Sequence, residues 1–210
     1  MLVIGGHGGA WMGALGQTPI EMARAIKQGV SGANRETKRD DHFDVVMFNS
    51  CYIGNFETLV EYKDVADVTI ASENYSKGNM MAHWTIFLDG ISKVLERGEP
   101  YDGKQFAYDV VDFYRKQNTE IKENFPEFSQ WKEAMATLSA VDNKKLDDLA
   151  QSFKGFVNSL MENKISNKDL FNAVKQARDY ASPAMNPSMV MGFYDTIRDL
   201  GDFMDKIKES

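Results

Sequence analysis

The sequence predicts an α/β fold built on a parallel β-sheet, and three observations lead to that prediction. Short apolar runs rich in β-branched residues lie in the first third of the chain, at residues 2–4, 45–48 and 68–71. Each run is continuous and does not alternate with polar residues, as expected of strands that are buried on both faces of a sheet. Helical patterns separate the runs, and parallel strands joined by right-handed crossovers are the default for that order.

The first two helices are predicted from local signals. Residues 18–21, Thr-Pro-Ile-Glu, form a capping box with proline at the first helical position. Apolar residues follow at helical spacing until Gly29 and Gly32, where we expect the helix to break. A second helix is predicted around residues 56–63, between the second and third strands.

The rest of the chain is predicted to be mostly helical. We expect one domain over residues 1–210, with a βαβαβ core over residues 1–98 and a helical continuation over residues 99–210. One further strand is expected near residues 136–141, with Asp142 capping the helix that follows it. The later helices are predicted, in chain order, near residues 84–98, 106–114, 146–160, 166–181 and 197–207.

Composition excludes several classes of protein. The net charge of −7 is spread over helical stretches and leaves no basic stripe suited to phosphate backbones, so we expect no nucleic-acid partner. No apolar run approaches the roughly 18 residues of a membrane-spanning helix, and no signal-peptide pattern is visible. Cys51 is the only cysteine of the chain, which excludes an internal disulfide.

The residues that follow the first two strands are the candidates for chemistry. His7 follows the first strand in LVIGGHGG, and Cys51 follows the second in VVMFNSCYIG. Adjacent parallel strands would bring both side chains to one edge of the sheet, where a thiol beside an imidazole suits nucleophilic catalysis. The backbone N–H groups of Gly8 and Cys51 are candidates for an oxyanion hole. Two structural alternatives remain open: a small buried apolar cysteine, and glycines that serve only a tight turn.

Other candidate sites are weaker. His42 lies in a charged run and is expected to be exposed, whereas His83 is expected to cap or pack near a helix start. The three histidines and one cysteine show no zinc-ligand spacing, so no metal site is predicted. The chain also lacks the Gly-x-Ser-x-Gly elbow of α/β-hydrolases and the Walker phosphate loop.

Two segments, GGHGGAW and FNSCYIGNFETLVEYKDVADVTIASE, resemble the clostripain family of cysteine peptidases. ATLSAVDNKKLDDLAQSF and FYDTIRDLGDF also resemble family segments, so the likeness extends from residue 1 to about residue 205. The resemblance implies the fold shared by caspases, gingipains and legumains: a parallel-sheet sandwich with helices on both faces and a helix-rich C-terminal half. Compared with the family, this chain is expected to lack the first strands.

The resemblance also implies a mechanism. Cys51 would attack the scissile carbonyl of a peptide or protein substrate, His7 would transfer the proton, and the N–H groups of Gly8 and Cys51 would hold the oxyanion. Family members cut after Arg or Lys through acidic side chains in the specificity pocket. This chain has Asn49 where an acidic residue commonly stands two positions before the cysteine. Glu73 could compensate, so Asn49 and Glu73 are the candidate substrate-binding residues, although a solvated Glu73 is the structural alternative.

The family supplies further expectations. The chemistry would need no cofactor, but calcium affects some members. A secreted or cell-envelope location would follow the family. The expected loss of strands leaves two alternatives to a complete enzyme. The chain would be a non-catalytic binding module that kept the fold, or one part of a two-chain enzyme whose second chain supplies the missing strands.

Overall fold

A computed structural model describes residues 1–38, 42–73, 102–124, 137–163, 165–177 and 199–208, together with residues 88, 92, 96 and 98. The chain divides into two compact units, Met1–Leu146 and Asp147–Ser210. His83 lies outside the described residues, and the helix predicted near residues 84–98 lies almost wholly outside them.

A four-stranded sheet forms the centre of the first unit. In spatial order its strands are β1 (Leu2–Gly5), β2 (Phe43–Asn49), β3 (Ala66–Ala71) and β4 (Ser139–Asp142). The first three strands are parallel, as predicted, but β4 pairs antiparallel to β3, so the sheet is mixed. β4 also begins later than the strand expected near residue 136. Its direction was not predictable from its pattern, because side chains alternate between two faces in either direction.

Three described helices belong to the first unit: α1 (Pro19–Thr37), α2 (Phe56–Glu61) and α3 (Gly103–Asn124). The capping box at the start of α1 is confirmed, since Thr18 N donates to Glu21 Oε2 at 2.9 Å and Glu21 N donates to Thr18 Oγ1 at 3.3 Å. The expected break at Gly29 and Gly32 was wrong. α1 continues through both glycines, because each costs a helix only about 1 kcal/mol.

Helices cover both faces of the sheet, as predicted. Val46 and Phe48 of β2 pack on the side of α1, whereas Val45 and Met47 pack under Phe106 of α3. The four β2 side chains are at most 1% exposed, which explains why this strand reads as one continuous apolar run.

The second unit is helical in its described part. α4 (Leu146–Glu162) begins at the end of the first unit, and α5 (Asn167–Gln176) and α6 (Leu200–Lys208) follow. Before α4, Asp142 accepts from Lys144 N at 3.2 Å and so caps a 3-10 turn, Asn143–Lys145. Ser166 caps α5 by accepting from Asp169 N at 3.1 Å.

The end of α5 differs from its prediction. The helix stops at Gln176 because Ala177 turns to an extended backbone with ψ 144°, so it does not reach the expected residue 181. In the described part of the chain, no helix combines the length and apolar character that crossing a bilayer requires.

Candidate active site

The carboxyl ends of β1 and β2 bring the segments of His7 and Cys51 to one edge of the sheet. Gly5 of β1 stands opposite Asn49 of β2 in the parallel register, and Gly6 N extends this pairing by donating to Asn49 O at 3.2 Å. His7 and Cys51 each lie two residues beyond that opposed pair. The strand pairing therefore places them on neighbouring backbones, as the sequence predicted.

The backbone of Gly8 lies directly against that of Cys51. A Cβ atom added at Gly8 would stand 2.1 Å from the carbonyl oxygen of Cys51 and 3.0 Å from its nitrogen. Only glycine allows the two main chains to approach so closely. The glycine therefore has a role in packing His7 beside Cys51, and not only in turning the chain.

The loop after β1 is closed by its own hydrogen bonds. His7 O accepts from Leu15 N at 3.1 Å, and Gly9 N donates to Gly13 O at 2.8 Å. Between these two groups, the N–H of Gly8 donates to no backbone oxygen of the described residues. The side chain of His7 is exposed, and Cys51 is half-buried and in no disulfide. The two strand ends thus bring together the backbones of an exposed histidine and a half-buried cysteine, beside an N–H that donates to no backbone oxygen of the described residues.

The turn after Cys51 has an unusual backbone. Tyr52 is only 2% exposed and has a φ of 56°, in the left-handed region that non-glycine residues rarely adopt. Gly54 then packs on the end of β3, where its N–H donates to Ser72 O at 2.8 Å. A Cβ at Gly54 would lie 2.9 Å from Glu73 N. Sequence reasoning missed both residues, although a glycine soon after the cysteine was an available signal for Gly54.

Glu73 is held at the carboxyl end of β3. Ser139 Oγ donates to Glu73 Oε1 at 3.0 Å, and Glu73 N donates to Thr137 Oγ1 at 3.0 Å. Glu73 is half-buried, so the alternative of a solvated side chain does not describe it. Asn49, the last residue of β2, is 8% exposed. The carboxyl ends of three neighbouring strands are thus followed by, or end in, the candidate catalytic and substrate-binding residues, while the anchors of Glu73 were not predicted.

His42 lies at the other edge of the sheet. Its side chain is 58% exposed, as expected, and its Nε2 is 3.0 Å from Asp67 Oδ2. It comes immediately before β2, at the amino ends of the parallel strands, whereas Cys51 follows their carboxyl ends. Strand direction therefore separates His42 from the thiol.

No cation site accompanies these residues in the described ranges. Among the residues whose placement is described, no three His, Cys, Asp or Glu side chains gather into a group that could hold a metal ion. A role of calcium, which the family resemblance raised, is therefore not supported by the described residues.

Comparisons with known proteins agree with this architecture. The Peptidase_C11 model, which describes the clostripain family, matches residues 1–210. No curated protein matches the chain.

Among solved structures, a secreted C11 cysteine protease from Bacteroides thetaiotaomicron, iotapain, is similar with a TM-score of 0.54 and 20% identity over 97% of this chain and 51% of its own. A secreted C11 cysteine protease from the same organism, in complex with an irreversible peptide inhibitor, gives a TM-score of 0.50 and 14% identity over 99% and 53% of the respective chains. This chain spans about half the length of these two proteins. At such identities, the likeness shows the fold.

Proposed function

Because the chain belongs to the clostripain family, we propose that it is a cysteine endopeptidase in which Cys51 and His7 form a catalytic dyad. The observation that carries the proposal is the contact of the Gly8 backbone with Cys51, since it sets the histidine loop against the cysteine. The exposure of His7 supports it as well, because a proton donor for a bound peptide must reach the substrate.

The proposed reaction proceeds in two steps. The Cys51 thiol gives its proton to His7, and the sulfur forms a bond to the carbonyl carbon of the substrate. As the C–N bond breaks, His7 returns the proton to the leaving amine. Water then hydrolyses the thioester, which releases the acid product and regenerates the thiol.

Two backbone donors are proposed to stabilise the tetrahedral intermediate. The N–H of Gly8 is the first, and its lack of a backbone acceptor among the described residues supports that role. The N–H of Cys51 is the second. Donors fixed before the reaction stabilise developing charge without reorganisation, and losing one typically costs about a hundredfold or more in rate.

Replacing Cys51 with Ala is the direct test. Cleavage of peptides is expected to fall by at least about a thousandfold, and labelling by an acyloxymethyl-ketone peptide probe is expected to vanish. His7→Ala should lower cleavage strongly, whereas His42→Ala, at the other edge of the sheet, should leave it unchanged. In the wild type, the probe should be mapped to Cys51. Activity that survives Cys51→Ala would refute the proposal.

Substrates cut after Arg or Lys are the proposed specificity, with Glu73 as the acidic partner. Asn49 is neutral and supplies no ion pair. Oε1 of Glu73 accepts from Ser139, and Oε2 accepts from no donor among the described residues. Glu73 thus keeps one oxygen for a basic side chain.

A panel of peptides that vary only the residue before the cut tests this specificity. Glu73→Gln should lower kcat/KM for Arg and Lys substrates about tenfold relative to a Gln substrate, because charged hydrogen bonds are stronger than neutral ones. Asn49→Asp should strengthen the same preference. Cleavage of neutral substrates alone would refute the specificity and leave the peptidase proposal standing.

A second candidate is that the chain works as one part of a two-chain enzyme, which the coverage of about half of the two similar proteases favours. Its test is the mass of the active species in the native source. An active species that consists of this chain alone would exclude it.

Both similar proteases are secreted proteins. Secretion of this chain is therefore proposed too, and finding the native protein only inside cells would refute that part.

A further inference from the structure

We propose that Asn55 and Thr58 are positioning residues that hold the loop of His7 against the turn of Cys51 through side-chain hydrogen bonds. The inference rests on the proposed function for its catalytic meaning. The side chains of Asn55 and Thr58, with their hydrogen bonds, form a bridge between two segments of the chain that lie far apart in sequence. This bridge can be tested apart from activity.

The first part of the bridge holds the cysteine turn. Asn55 Nδ2 donates to the carbonyl oxygen of Tyr52 at 2.6 Å, directly after Cys51. The other end of the same side chain, Oδ1, accepts from Thr58 N at 2.9 Å and caps α2. One amide therefore ties the left-handed residue Tyr52 to the first turn of α2.

The second part reaches the histidine loop. Thr58 Oγ1 donates to Ala10 O at 3.2 Å, across 48 residues of sequence. Thr58 and Ala10 are 0% and 2% exposed, so water cannot readily replace this bond. Ala10 O also accepts from Gly13 N at 2.9 Å, which closes the turn next to Gly8 and fixes the direction of the carbonyl.

The bridge joins two strained positions. Ala10, three residues after His7, has a φ of 54°. Tyr52, directly after Cys51, has a φ of 56°. Such conformations cost about 1–2 kcal/mol and persist only where the surroundings hold them. Without the bridge, we expect Gly8 to move relative to Cys51, and a displacement of about 1 Å at a reacting pair can cost a hundredfold in rate.

Thr58→Val and Thr58→Ser separate the hydrogen bond from simple packing. Valine keeps the shape and loses the hydroxyl, whereas serine keeps the hydroxyl and loses the methyl group. Amide hydrogen exchange of residues 6–10 is the first readout. We expect Thr58→Val to speed this exchange about tenfold and Thr58→Ser to stay within about twofold of the wild type. Wild-type exchange in Thr58→Val, or equal effects of both variants, would overturn the bridge.

The second readout is the rate at which iodoacetamide alkylates Cys51 as a function of pH. Thr58→Val is expected to shift this profile towards that of His7→Ala, and Thr58→Ser to restore it. A His7→Ala profile identical to the wild type would refute the proposed dyad, while the exchange data would still decide the bridge.

Asn55→Asp gives an independent variant in case Thr58→Val does not fold. Aspartate keeps the acceptor that caps α2 and loses the donor to Tyr52 O. Asn55→Asp is expected to shift the pH profile of alkylation in the same direction as Thr58→Val shifts it. An unchanged profile beside an altered His7→Ala profile would overturn the role of Asn55.

Discussion

At the scale of single residues, Asn143 is a buried polar anchor of the described core. It is 2% exposed, and its Nδ2 lies 3.2 Å from Tyr62 O, 2.8 Å from Ala66 O and 2.9 Å from Thr69 Oγ1. Asn143→Ala would leave these buried acceptors without that donor, so we expect a loss of about 2–3 kcal/mol in the free energy of unfolding. Urea unfolding of the variant and the wild type measures this loss. The exposed Asn163→Ala is the control, expected within about 0.5 kcal/mol of the wild type; an equally small loss at Asn143 would contradict the prediction.

Gly8→Ala tests the close approach on which the proposed dyad depends. The new Cβ would need space that the Cys51 carbonyl oxygen occupies, 2.1 Å away, so one of the two main chains must move. We expect peptide cleavage to fall at least about a hundredfold. Gly32→Ala, whose Cβ would meet nothing within 4 Å, is the matched control and should keep full activity. Cleavage at the wild-type rate by a folded Gly8→Ala protein would show that the contact is dispensable.

Whether a contact of the site could be predicted depends on how far apart in sequence its two partners lie. Proximity of His7 and Cys51 followed from two adjacent parallel strands, which local apolar runs reveal. The bond from Thr58 to Ala10 spans 48 residues, and that from Ser139 to Glu73 spans 66. Threonine and serine are common in every environment, so nothing local marks those two side chains as partners of distant groups.

At the scale of elements, α1 offers a stabilising substitution. Gly29 lies inside the helix, and its added Cβ would meet nothing within 4 Å. Gly29→Ala should raise the free energy of unfolding by about 0.5–1 kcal/mol, because alanine loses less backbone freedom on folding. Gly13→Ala should instead lower the free energy of unfolding, since φ is +87° and the Cβ would fall 1.9 Å from Gln17 O. Urea unfolding of both variants checks the pair, and a destabilised Gly29→Ala would refute the argument.

The two ends of α1 show why helix starts were predicted better than helix ends. The start depends on Thr18 and Glu21, three residues apart, which the sequence displays directly. The end depends on whether the small cost of placing Gly29 and Gly32 in a helix outweighs the helix stabilisation that the surrounding residues provide. α1 passes both glycines and ends before Lys38, which has a φ of 57°. A preference of about 1 kcal/mol is too weak a signal to end a helix by itself.

At the scale of the whole molecule, the sequence predicted that the first three strands run parallel but not how the sheet is completed. Their direction follows from the helices between them, since strands joined by a helical crossover are parallel by default. The direction of β4 depends on where the chain returns after α3, which no local pattern encodes. Lys104 of α3 then pairs with Asp142 at the end of β4, with Nζ 2.7 Å from Oδ2. The ion pair thus joins the last strand to the helix that covers the same sheet.

Stability of the molecule should fall in acid, and Asp142 is one cause. The hydrogen bond from Lys104 lowers the pKa of Asp142, whose side chain is 13% exposed, and that from Lys144 lowers the pKa of Asp67. A carboxyl whose folded pKa lies below its unfolded value of about 3.9 contributes stability that is present above that value and lost as the pH falls through the folded pKa.

Asp142→Asn keeps the acceptor for Lys144 N and removes the titrating charge, so it isolates this contribution. Between about pH 6 and pH 3, the wild type should lose more of its free energy of unfolding than Asp142→Asn, measured by urea unfolding at each pH. Asp205→Asn, at a side chain that is 67% exposed, should lose as much as the wild type. If Asp142→Asn and the wild type lost the same amount, the pair with Lys104 would contribute nothing to the acid sensitivity, and the decline would have to come from the other carboxyls.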